Sequence, residues 1–108
     1  MALGWLVHLR PWRNGTQVGD PLPGVILCQI PGGYAVWFPT LGNPGDTGAT
    51  QAYHPNEIGE LEPLVAASPD FLTTAAHAMT TTHTRQTYPA VWEHVRAAYR
   101  AHTGKDPL

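Results

Sequence analysis

Apolar and polar positions alternate along WLVHLR: Trp5, Val7 and Leu9 fall to one side, and Leu6, His8 and Arg10 to the other. A period of two is the mark of a half-buried β-strand. Pro11 closes it, and RNGTQVGDPLPG follows with Asn-Gly, Gly-Asp and two prolines, turn chemistry that predicts a loop with room for only a short edge extension. GVILCQI and YAVWF, separated by PGG, form the strongest hairpin signal in the chain and are expected to pair antiparallel. Within that hairpin Tyr34, Val36 and Phe38 share one face, and Ala35 and Trp37 the other. Matching faces predict Val25, Leu27, Val36 and Phe38 in one core.

The stretch PTLGNPGDTGAT breaks the pattern with glycine and proline, so residues 41–50 are expected to be the most mobile internal segment. TQAYH resumes as a short strand. In HPNEIGELEPL one turn of 3₁₀ helix and a last short strand are expected. The period then changes. Ser68, Pro69 and Asp70 read as N-cap, first helical residue and an acid at the positive end of the helix dipole. Phe71, Leu72, Ala75, Ala76 and Met79 recur at helical spacing, predicting a helix that ends near Thr81, where TTTHTRQT disfavours helix through its β-branched side chains. A second helix begins at Tyr88-Pro89, carries Val91, Trp92, Val95, Ala98 and Tyr99 on one stripe, and stops at Gly104.

This order of strand, long loop, hairpin, long loop, short strand, tight turn and final strand resembles the SH3-like small barrels, including Tudor-like and KOW-like modules. The resemblance covers residues 4–64 and is carried by PGVILCQIPGGYAVWFP and YHPNEIGELEPL. It implies an α+β fold: an SH3-like five-stranded small barrel over residues 1–67, with a C-terminal two-helix hairpin over 68–108 packed on it as one compact unit. The Asn14-Gly15 loop lacks the acidic run of peptide-binding SH3 domains, so recognition of proline-rich peptides is not implied.

Composition sharpens this picture mainly by exclusion. At 108 residues the chain has the length of one domain. Charged residues make up 13%, about half the usual share, and the net charge is −2. No run of Lys or Arg could track a phosphate backbone, which disfavours non-specific nucleic-acid binding. Residues 1–67 carry two arginines against five carboxylates, a modest asymmetry that physiological salt would largely screen. Cys28 stands alone, so neither an internal disulfide nor a thiolate-rich zinc site is expected, and a reducing compartment fits. MALGWLVHLRPW has no basic leader or cleavage pattern, and no apolar run reaches membrane-spanning length; the expectation is a cytoplasmic protein with no membrane partner.

Candidate chemistry is sparse. Six histidines invite a metal reading, but the spacings His77 to His83 and His94 to His102 match no ligand pair on one helix face, and no metal or other cofactor is expected. Alternation with Ile26 and Ile30 makes Cys28 a buried, inert thiol, and Ser68 is occupied as a cap. Glu57, Glu60 and Glu62 form an acidic edge that discourages strand pairing, with no pocket signature beside them. PGG and LGNPGDTG lack the Gly-Lys-Ser/Thr ending of a phosphate loop. No catalytic residues are therefore assigned.

The aromatics are the better lead. Trp12, Tyr34, Trp37 and Tyr53 lie at strand ends or beside loops, where rigid rings offer contact area at small entropic cost. Alternation sets Trp37 opposite Tyr34, so the two cannot both be core. On the second helix Trp92 and Tyr99, rimmed by Arg96 and Arg100, are expected to leave apolar area for a second chain. The reading is a non-enzymatic protein-binding or assembly module that engages a protein partner or itself. Its composition, with abundant Ala, Gly, Pro, Thr and His and with Arg favoured over Lys, resembles high-GC bacterial or phage coding. The alternative is a nucleic-acid accessory using Arg85, Arg96 and Arg100.

Overall fold

The computed structural model describes residues 3–41, 48–81 and 84–107, which form a mixed α+β fold. Six strands come first: β1 (Leu6–Leu9), β2 (Trp12–Arg13), β3 (Thr16–Gln17), β4 (Leu22–Ile30), β5 (Gly33–Phe38) and β6 (Ala49–Tyr53). Two 3₁₀ turns, Pro55–Glu57 and Leu64–Ala66, lead to helices α1 (Pro69–Thr81), α2 (Thr84–Thr87) and α3 (Pro89–Thr103). Strands β1, β4, β5 and β6 form one antiparallel sheet in that spatial order, and β2 and β3 form a separate two-stranded sheet.

The β4–β5 hairpin turns on Pro31-Gly32, but its register is interrupted. Val25 pairs with Trp37 and Ile26 with Val36, and the next pair is Cys28 with Ala35, which leaves Leu27 as an extra, bulged residue. A bulge puts two successive side chains on the same side of the sheet. Leu27 and Cys28 accordingly both meet the helix-facing cluster, with Leu6, Val25 and Trp37. Ile26, Val36 and Phe38 lie on the opposite face with Val7, Leu9 and Tyr53. The single core expected around Val25, Leu27, Val36 and Phe38 is thus two cores: all four residues are buried, but the register divides them between the faces of the sheet.

Helices α1 and α3 cover one face. The Phe71 N–H donates to Ser68 Oγ at 3.2 Å, the capping bond expected at the start of α1. Leu72, Ala75, Ala76, Met79, Val91, Val95 and Ala98 fill the helix–sheet layer, and α3 stops at Gly104, whose φ is 73°. The sequence reading missed α2. One helical turn forms in the threonine-rich connection because packing overrides weak propensity: the Arg85 guanidinium lies over the Trp92 ring, 5.8 Å from its centroid.

The closed five-stranded barrel expected for the first half is not formed; the sheet stays open. After the first 3₁₀ turn the chain returns to β1 for a single antiparallel bridge, in which Leu6 and Glu62 exchange backbone hydrogen bonds of 2.9 and 3.0 Å. Pro63 follows at once and has no N–H to extend a ladder, so the last strand is reduced to one residue. Most of the segment expected to be mobile, residues 42–47, lies outside the described residues.

Candidate functional site

The second face of the sheet is covered by the small β2–β3 hairpin. Asn14 and Gly15 form its two-residue turn with φ of 53° and 77°, positive at both positions as a type I′ turn requires. Side chains fix this hairpin to the body. Arg10 donates from Nε to Gly19 O (2.9 Å) and from Nη2 to Gln17 O (3.1 Å), and Gln17 Nε2 donates back to Arg10 O (3.2 Å).

The link to the main sheet is Gln51. Its Oε1 accepts the Trp12 N–H at 2.7 Å and its Nε2 donates to Trp12 O at 2.9 Å, so one side-chain amide stands in for a strand's peptide group. Beside it the Tyr53 hydroxyl donates to Arg10 O at 2.7 Å. Burial, and secondarily the negative charge of Glu57, push the Tyr53 phenol up to about 12, so it stays a protonated donor at any physiological pH. The Trp12 ring packs against Tyr53 with centroids 6.1 Å apart, and Tyr53 meets Phe38 edge-on at the same distance. Trp12 Nε1 is enclosed and finds no acceptor among the described residues.

The 3₁₀ turn completes the site. The His54 N–H donates to Glu57 Oε1 at 2.8 Å, and His54 Nδ1 lies 3.0 Å from Gly32 O. A carbonyl only accepts, so Nδ1 is the donor of this pair, and in the neutral imidazole Nε2 is then the acceptor. Close approach demands glycine here: a Cβ on Gly33 would stand 1.9 Å from Tyr53 O. Between hairpin, β6 and turn opens a concavity of about 500 Å³ lined by Trp12, Gly15, Gln51, Ala52, His54 and Glu57.

Of the four aromatics expected at a binding surface, Trp12 alone lines this groove. Tyr34 is half-buried against the hairpin-facing core. Tyr53 is 2% exposed and forms the layer behind Trp12, and Trp37 is 3% exposed on the opposite, helix-facing side. Neither presents a surface ring, because β5 and β6 are covered on the faces these residues occupy. At the expected seam Trp92 is 8% exposed and packs in the chain's own core, and half-buried Tyr99 packs against the same cluster. Arg96 and Arg100 both reach Asp106 Oδ1, the first at 3.0 Å, and this shared carboxylate is held below the usual carboxylate range by those hydrogen bonds.

Gln51 and His54 escaped the sequence reading. For Gln51 a signal existed: alternation with Tyr53 puts it on the inward side of β6, where a polar side chain needs partners. Nothing in the sequence marks His54. Among the described residues no three His, Cys, Asp or Glu side chains gather to hold a metal ion. No helix among them is long and apolar enough to cross a membrane. Comparison with protein-family models, characterised proteins and solved structures found no match to this chain.

Proposed function

We propose that the chain is a small non-enzymatic binding module that engages an extended segment of a protein partner across the Trp12 groove. The observation that carries this reading is Trp12 itself. Its half-exposed indole sits on a hairpin pinned by side-chain bonds, so it walls the groove without needing to be ordered on binding. Such a shallow, mixed wall of indole, amide, imidazole and carboxylate suits a peptide better than a buried small molecule.

The finer fold reading, an SH3-like module, draws its support from the strand order and from the return of the chain to β1 at Glu62 after a 3₁₀ turn. The nucleic-acid alternative draws none, because Arg96 and Arg100 share Asp106 and Arg85 lies over Trp92.

Selection from a random peptide library against the whole chain tests the reading. Enriched peptides should lose at least about tenfold in affinity with Trp12→Ala, the effect of removing an aromatic hot spot. Trp5→Ala, at an indole outside the groove, should leave them unchanged. Binders indifferent to Trp12, or a selection that enriches nothing, would contradict it.

A further inference from the structure

The groove's chemistry is one-sided. Gln51 spends its amide on the Trp12 backbone. The other side chains that line it are the Trp12 indole, the His54 imidazole and the Glu57 carboxylate, which has a second oxygen beyond the one that accepts the His54 N–H. No Lys or Arg lines the groove. Arg10 is tied to backbone carbonyls, and Arg13 follows Trp12 on β2, so alternation turns it to the other side.

Resting on the groove reading above, we propose that the site selects a basic side chain of the bound segment, a guanidinium above all. A planar guanidinium can stack on the indole while its N–H groups donate to Glu57 and to His54 Nε2.

The probes are acetylated, amidated Ala-Ala-X-Ala-Ala peptides with X arginine, its neutral isostere citrulline, or glutamate, titrated into the whole chain and followed by ¹⁵N NMR. At about pH 8 arginine should bind about fivefold more tightly than citrulline, with glutamate weakest, and the shifts should centre on Trp12, His54 and Glu57. Glu57→Gln keeps the acceptor for the His54 N–H and should bring arginine and citrulline within about twofold of one another. Equal binding of arginine and citrulline at the groove would overturn the charge selection and leave the peptide reading standing. Groove resonances that respond to none of the peptides would overturn the proposal and count against the peptide reading as well.

Discussion

The two faces of the sheet are held by different physics. On the helix side Leu6, Val25, Leu27 and Trp37 meet α1 and α3 in an apolar layer, and stability there comes from burial and close packing. On the hairpin side a smaller cluster around Phe38 and Tyr53 is overlaid by directional bonds: Gln51 to Trp12, Tyr53 to Arg10, His54 to Gly32. Apolar packing gives a scaffold. Side-chain-to-backbone bonds give a thin cover whose geometry is fixed and whose outer surface remains available. The face proposed to bind is thus not the face with the most aromatic area; Trp37 and Trp92 are spent on the scaffold.

The largest test of this contrast asks whether the hairpin side is a real core. Phe38, fully enclosed at 0% exposure, should cost about 3–5 kcal/mol on replacement by Ala, measured by urea unfolding. A loss below about 1 kcal/mol would reduce that side to a surface patch. Next, Gly33→Ala drives a Cβ into the β6 backbone and should cost about 1–3 kcal/mol. Hydrogen exchange should then show faster exchange along β5–β6 while α1 and α3 keep their protection. Uniform loss of protection would mean that the two sides unfold as one.

Gln51→Leu removes both bonds to the Trp12 backbone at nearly constant volume. It should cost about 1–3 kcal/mol by leaving a donor and an acceptor unpaired, and the β2–β3 amides should exchange faster. The smallest effect is a pH dependence. The folded Tyr53 phenol holds its proton up to about 12, and the unfolded one up to 10.0. Between these values the native state binds more protons, so the Tyr53 contribution to stability should be constant below pH 10 and fall as pH rises from 10 towards 12. Tyr53→Phe should abolish that decline, which thermal unfolding at a series of alkaline pH values would show.

Helices were the most legible part of the sequence. Ser68-Pro69-Asp70 and Tyr88-Pro89 mark starts, and Gly104 a stop, through local chemistry that tertiary contacts did not alter. The β4–β5 hairpin was equally visible, but its bulge was not. Nothing in GVILCQI says that Leu27 will be the unpaired residue, and that one-residue slip reassigns Val25 and Leu27 to the side of Trp37. Asn14-Gly15 carried the signal of a two-residue hairpin turn and was read only as loop, because the flanking strands are just two residues each. Trp12 was picked out by its position beside that turn. The rest of the groove depends on contacts such as Gln51 to Trp12, separated by 39 residues, which no local pattern encodes.

The measurement that bears most directly on the division between scaffold and binding face is a ¹⁵N NMR map of the whole chain titrated with a peptide enriched against it. Perturbations should cluster at Trp12, Gly15, Gln51, His54 and Glu57, with the α1 and α3 amides undisturbed. Shifts centred instead on the α3 surface at Arg96, Tyr99 and Arg100, with the groove silent, would contradict the account.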